Sequence, residues 1–272
     1  MIKGAIRFMR EFWKLYMDKG LTRASAGLAY FLTMTIFPLL IILYTLLGNS
    51  YGKALRILEF AKRFIAEKSA ETIGEFLRYV AANNSTAMMV AAIIVLATSA
   101  SAAVRSFQAA VGDMQGQPRY QGLSGFVFSV IFSLLFVGAI YFAILVMLTG
   151  RQFLRWLNSV LPFVDVGSSW SVLRFLLLAA IDYGIIWVLF AVSRPRRDRY
   201  PIALGALLTT LALVGASIAF SAFIGASTRY PLVYGSLASV ILLMFWLYTA
   251  CLIIYCGAAF NIALRNIRRD SL

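Results

Sequence analysis

Leu173-Arg-Phe-Leu-Leu-Leu-Ala-Ala-Ile-Asp-Tyr-Gly-Ile-Ile-Trp-Val-Leu-Phe-Ala-Val192 decides the fold. An α-helix of this length rises roughly 30 Å, the thickness of the hydrocarbon core of a bilayer. The stretch carries charge only at Arg174 and Asp182. It is too long and too apolar for a strand, and its backbone has to satisfy its own hydrogen bonds in lipid, which selects a helix. The whole chain has the same character. Its 272 residues are 61% hydrophobic and 13% charged, against about 25% charged in a soluble domain. A water-soluble fold of this size lacks the polar residues to cover itself, and a disordered chain is poor in apolar ones.

Five further apolar runs accompany the first, so the spans read Ala24–Leu47, Ala87–Val104, Phe126–Leu148, Leu173–Val192, Ile202–Ile224 and Leu237–Phe260. The expected fold is an all-α polytopic bundle with six transmembrane helices. The period-two alternation of a membrane barrel is absent. No linker or shift of composition divides the chain, which reads as a single integral membrane domain, 1–272.

Charge sets the direction. Lys and Arg number 25 against 11 Asp and Glu, a net charge of +14. With the N-terminus inside, 15 of the basic residues fall in cytoplasmic segments, and the run Arg194–Arg199 is the clearest marker. Both termini are therefore expected in the cytoplasm, with membrane lipids as partners. A soluble nucleic-acid binder would need stacking aromatics in water, but the aromatics here lie mainly in apolar runs, so no nucleic-acid partner is expected.

Residues 1–20 lack the short apolar core and small-residue cleavage site of a signal peptide. Lys3, Arg7, Arg10, Glu11, Lys14 and Asp18 share one stripe of a helix, and Ile6, Phe8, Met9, Phe12, Trp13 and Tyr16 cover the rest. This amphipathic helix lies in the membrane interface or packs on the end of the bundle. The first outer loop, roughly residues 48–86, keeps helical spacing at Ile57, Ala61, Phe64 and Ile65 and at Ile73, Phe76, Leu77 and Val80. One or two amphipathic helices over the outer face follow, with a smaller one at Arg151–Leu161. Trp156 and Trp170 suit the outer interface.

Asp182 is the most informative residue. A charged Asp at the centre of a span costs about 2.5–3.5 kcal/mol on insertion scales. Either it titrates or contacts substrate in an internal cavity, or it is a neutral acid bonded to a hydroxyl of a neighbouring helix. The second span ends in small polar residues, with Thr98, Ala102 and Ser106 at spacing four and Ala97 and Ser101 beside them. The fifth repeats the pattern with Ser217, Ser221 and Gly225 and with Gly215 and Ala219. Close helix packing is the plain reading, and a hydrophilic path the functional one. Arg105 and Gln108 stand at the cytoplasmic end of the second span, where Arg105 suits an anionic head group. Candidates for a path or a proton site are thus Asp182, Arg105, Gln108, Thr98 and Ser101. Pro38 is a kink or hinge in the first span.

With no His, no HExxH, GxSxG or P-loop, and few acids, the sequence offers no catalytic apparatus, and neither metal nor cofactor is expected. Cys251 and Cys256, five residues apart on one helix, are too far apart to bridge each other.

The stretch Thr22–Pro38, including Tyr30 and Pro38, resembles the opening signature of the YihY/BrkB family of bacterial inner-membrane proteins. Ser99–Phe107 resembles its middle motif. Tyr234-Gly235-Ser236, running on to Trp246 and then to Gly257 and Asn261, resembles its closing one. Ala259 stands where the family usually has Glu. The resemblance implies a six-helix plasma-membrane protein. The label "ribonuclease BN" once attached to the family belongs to an unrelated soluble metal-dependent nuclease. The leading expectation is a transporter or flippase-like protein for an amphipathic or anionic envelope molecule such as a lipid. The alternatives are a non-catalytic scaffold or oligomeric anchor, which leaves a homo-oligomer open, and a membrane-bound nuclease.

Overall fold

A computed structural model describes residues 2–46, 51–61, 67–83, 85–116, 127, 129–131, 138, 166–195, 200–226 and 237–269. Most of the expected span Phe126–Leu148, the helix at Arg151–Leu161, and the residues Tyr234, Gly235 and Ser236 lie outside them. The helices are α1 (Ile2–Asp18), α2 (Leu21–Leu46), α3 (Tyr51–Ala61), α4 (Glu67–Ala82), α5 (Thr86–Gln115), α6 (Val166–Ser193), α7 (Ala203–Ala226) and α8 (Leu237–Arg269). Among the described residues there is no strand. Five of the helices, α2 and α5–α8, are long and apolar enough to cross a membrane.

Two helices overrun their apolar runs. α5 continues to Gln115, past the expected Val104, and α8 to Arg269, past Phe260. The apolar criterion ends where charge begins, but the backbone stays helical until a cap stops it. For α5 that cap is Gly116, left-handed at φ 71°, whose N–H donates to the Asp113 and Gly112 carbonyls. At its other end Ser85 accepts from the Met88 N–H at 3.2 Å. α2 runs unbroken through Pro38, which is buried.

Among the described residues two cores form. The larger gathers Leu21 and Leu28 of α2, Phe107 and Val111 of α5, Ile186 and Phe190 of α6, Ala206 of α7, and Cys251, Tyr255 and Ile262 of α8. Its centre is aromatic. Phe107 stacks on Tyr255 with centroids 5.1 Å apart and on Phe190 at 6.4 Å, contacts worth about 0.5–1.5 kcal/mol each beyond area burial. Both cysteines are free.

Phe8 of α1 meets Phe260 of α8 edge-on at 5.2 Å, so the N-terminal helix and the last turns of the chain share one end of the bundle, here termed basal. At the opposite end α3 and α4 pair. They bury Ala54, Leu58, Leu77 and Val80 against Tyr44 of α2, and Phe76 meets Phe37 at 5.1 Å. Arg78 of α4 lies against the Tyr51 hydroxyl of α3, and that hydrogen bond raises its guanidinium above the usual value.

α1 packs one apolar sector on the bundle and leaves another exposed. Phe8, Phe12, Leu15 and Tyr16 pack on the core. Ile6, Met9, Trp13 and Met17 form a second apolar stripe that is exposed, each residue by more than half. Arg7, Arg10 and Lys14 are exposed beside it.

Candidate functional site

Hydroxyl residues in a span normally return a hydrogen bond to their own helix. Here Ser25, Thr33, Thr35, Thr45, Thr98, Ser193, Thr209, Ser217 and Thr249 all do so, donating to a carbonyl three or four residues earlier. These side chains need nothing further. Several buried polar atoms among the described residues stand apart from them in finding no hydrogen-bond partner, including Ser101 Oγ, Gln108 Nε2 and Gln115 Oε1 on α5, Asp182 Oδ2 on α6, Thr210 Oγ1 on α7, and both amide atoms of Asn261 on α8. They define the candidate site.

α6 places Asp182 on the stripe Asp182–Ile186–Phe190–Ser193, spaced four, four and three, whose last three members are buried in the bundle. Asp182 therefore faces protein, about 16 Å along the axis from Ser193. The polar group opposite it is Thr210 of α7. Thr210 lies within hydrogen-bonding reach of the Asp182 carboxyl, although Asp182 Oδ2 and Thr210 Oγ1 miss ideal hydrogen-bond geometry, so the two are each other's nearest polar company at mid-depth.

α7 and α8 cross at very close range. An ideal Cβ on Gly205 would overlap the amide of Asn261, and one on Gly257 would overlap Thr209 Oγ1 and come within 3.1 Å of Phe190 Cζ. The two helices are antiparallel and each offers a glycine to the other's polar residue, at the same spacing of four. Gly and Thr at helix contacts let membrane backbones approach in this way. Two residues of the closing motif, Gly257 and Asn261, thus form one half of the crossing. Their counterparts, Gly205 and Thr209, were not singled out from the sequence. The small-residue spacing that could have found them occurs equally at Gly215, Ser217, Ala219 and Ser221, all of which are exposed.

The basal end is more polar. Tyr200, buried after α6, receives a hydrogen bond on its hydroxyl from Gln115 Nε2 at 3.0 Å and one on its carbonyl from Arg194 Nη1 at 3.1 Å. Arg265 lies over its ring at 5.5 Å. Beneath this cluster is a small cavity lined by Val111, Phe190, Ser193, Tyr200, Ala258 and Asn261. Tyr255 donates a long hydrogen bond, 3.4 Å, to the Ser106 carbonyl and ties α8 to α5.

Of the residues expected at a path, Ser101 and Gln108 are buried and Arg105 is half-buried on the same helix, while Thr98 is exposed with its hydroxyl bonded to the Ile94 and Val95 carbonyls. Tyr30 is exposed, and Trp246 stacks on Phe220 at 5.2 Å. Ala259 is fully buried in the larger core. Among the described residues no cluster of three metal-ligating side chains occurs.

Five apolar helices of membrane-crossing length in an all-helical bundle with a sparsely polar interior make this a polytopic membrane protein. Residues 12–271 match the model of the family described as Virulence factor BrkB, so the chain belongs to the BrkB family. It is 23% identical to a putative ribonuclease-like protein, YfkH, of Bacillus subtilis, over 96% of both chains. It is 26% identical to a UPF0761 membrane protein of Tolumonas auensis, over 95% of this chain and 85% of the relative. Another UPF0761 membrane protein, from Mannheimia succiniciproducens, is 21% identical over 94% and 89% respectively. No solved structure matches.

Proposed function

We propose that this protein is a transporter or flippase-like protein of the bacterial plasma membrane that moves an amphipathic or anionic envelope molecule such as a lipid. The observation that carries the reading is the set of unpaired buried polar atoms on α5–α8, from Asn261 near the basal end to Asp182 and Thr210 at mid-depth. An uncompensated polar group in a bilayer is costly, and ionisable residues kept there face partners or paths. Arg194 and Arg265 at the basal end suit the attraction of an anion.

The reading includes six crossings with both termini in the cytoplasm. Two observations support it. Gln115 closes α5 and Tyr200 follows α6, and the two are hydrogen-bonded, so α5 and α6 both finish at the basal end. The start of α6 is then at the far end, opposite the end of α5, as a reading with one more crossing between them requires. The basal end also carries Arg194, Arg265, Arg268 and Arg269, the sign of charge that cytoplasmic faces hold. The exposed stripe Ile6–Met9–Trp13–Met17, with Arg10 and Lys14 beside it, suits α1 to the interface of an anionic leaflet.

No catalytic or cofactor role enters this reading, and purified protein is expected to show no metal-dependent cleavage of RNA. The test of transport is lipid translocation in proteoliposomes by the wild type and Asp182→Asn. A pH-dependent rate that the substitution flattens supports the role of Asp182. Unchanged pH-dependent movement removes it.

A further inference from the structure

We propose that α1 discriminates between lipids by charge: it docks on the leaflet at the basal end and gathers anionic phospholipid head groups at Arg10 and Lys14. The proposal rests on the interfacial placement of α1 in the proposed function and not on transport. Its first support is the angular order of the side chains. At about 100° per residue, Phe8, Phe12, Leu15 and Tyr16 form the sector that packs on the core. The exposed stripe Ile6, Met9, Trp13 and Met17 is centred roughly 120° further round. Arg7, Arg10 and Lys14, all exposed, follow roughly 90° beyond the stripe. Glu11 and Asp18 come last, roughly 145° from the stripe. Charge on this helix is sorted by sign. The cations border the apolar stripe, and the acids stand on the side away from it.

The position of α1 names the occupant of that surface. The apolar span of α2 opens at Leu21, three residues after α1 ends at Asp18. α1 therefore runs into the level where hydrocarbon begins. Near its other end Phe8 meets Phe260, which lies within the apolar stretch Val240–Arg269 of α8. The helix is thus tied at two places to spans at the basal end.

Those ties also fix its rotation. Gly20 joins α1 to α2 at φ 59°, a left-handed conformation in which a Cβ would stand 3.2 Å from Arg23 Nη2. Its N–H donates to the Met17 carbonyl at 3.2 Å, and its carbonyl accepts from the Arg23 and Ala24 N–H groups at 3.0 and 3.1 Å. Both backbone groups of the elbow are bonded, and Leu15 is buried, so α1 cannot roll to hide its stripe. Trp13 is held as well, stacked on Tyr16 with centroids 5.7 Å apart.

An apolar stripe fixed at the edge of the hydrocarbon enters acyl chains, and cations at its border lie among head groups. A zwitterionic surface would satisfy the stripe alone. The cations gain only from lipids of net negative charge, and acids turned away from the bilayer avoid the opposing repulsion. An acidic protein in water would match the cations but not the stripe, which the start of the α2 span sets at the bilayer boundary.

The test uses the full chain in vesicles of phosphatidylglycerol and phosphatidylcholine in equal amounts, with bromine on the acyl chains of one lipid or the other. The signal of Trp13 is the difference from Trp13→Phe. Stronger quenching with bromine on phosphatidylglycerol is expected, weakened by high salt. Arg10→Gln combined with Lys14→Gln should abolish the preference, each side chain contributing up to roughly fivefold in relative lipid binding. Both residues are exposed, so the packing of α1 survives the change. Equal quenching by the two brominated lipids overturns the charge selection and leaves α1 at the interface. A preference that persists in the double variant also overturns it, by assigning the selection to other residues. No quenching of Trp13 by either lipid overturns the interfacial placement too, and means that protein covers the stripe.

Discussion

Gly257→Ala is the sharpest perturbation of the α7–α8 crossing. The new methyl would occupy the position of Thr209 Oγ1 and lie 3.1 Å from both Thr209 Cβ and Phe190 Cζ. Thr209 has little freedom to yield, because its hydroxyl is bonded to the Gly205 carbonyl at 2.7 Å and the residue is buried. Phe190 is fixed by its stack on Phe107. Overpacking of this kind costs about 1–3 kcal/mol, and breaking the Thr209 bond adds about 0.5–1.5 kcal/mol. Against this, Ala is better than Gly inside a helix by about 1 kcal/mol. The net expectation is a loss of about 1–3 kcal/mol from these terms. Unfolding of the detergent-purified protein, followed by loss of helical signal against SDS mole fraction, measures it. The companion variant Thr209→Ala removes the obstructing hydroxyl, so the double mutant should recover at least about 1 kcal/mol relative to additivity. Gly257→Ala as stable as the wild type, or a strictly additive double mutant, would refute the interlocked crossing.

Other consequences follow from single contacts. Ala259→Glu, which restores the residue usual in the family, places a carboxyl in a fully buried core position, and a marked fall in folded yield on size-exclusion chromatography is expected. Tyr255→Phe loses only a 3.4 Å hydrogen bond and keeps the stack on Phe107, so less than about 1 kcal/mol is at stake, whereas Tyr255→Ala should cost about 3–5 kcal/mol by analogy with other large aromatic truncations; equal effects in chemical unfolding would contradict this assignment. Ser85→Ala removes the cap of α5 and should cost about 1 kcal/mol, with faster amide exchange confined to the first turn of that helix. In vesicles with brominated acyl chains, Trp13 fluorescence should be quenched, as judged by the difference from Trp13→Phe; no difference would mean that the exposed stripe of α1 does not meet lipid.

Much of this protein was legible in its composition. A bilayer demands long uninterrupted apolar helices, so α2, α5, α6, α7 and α8 follow from runs such as Leu173–Val192 with no knowledge of their neighbours. The place of Asp182 within its span was equally clear, because one charge in 20 apolar residues is visible to simple counting. The helical ends were less so. Hydrophobicity stops at Val104 and Phe260, but backbone geometry carries α5 and α8 further, to Gln115 and Arg269.

Tertiary structure decided which small and polar residues matter. Gly205, Thr209 and Gly215 look alike in a linear pattern, yet only the first two face α8. The rotation of a helix about its axis is set by its packing partners, and in lipid both faces are apolar enough that sequence alone leaves that angle open. The same indeterminacy hid the burial of Asn261, the outward turn of Thr98 and the double apolar surface of α1. What must cross the membrane was readable in the chain itself, because the solvent imposes it on every residue separately. The side chains that meet inside were chosen by the fit between helices, which no single segment encodes.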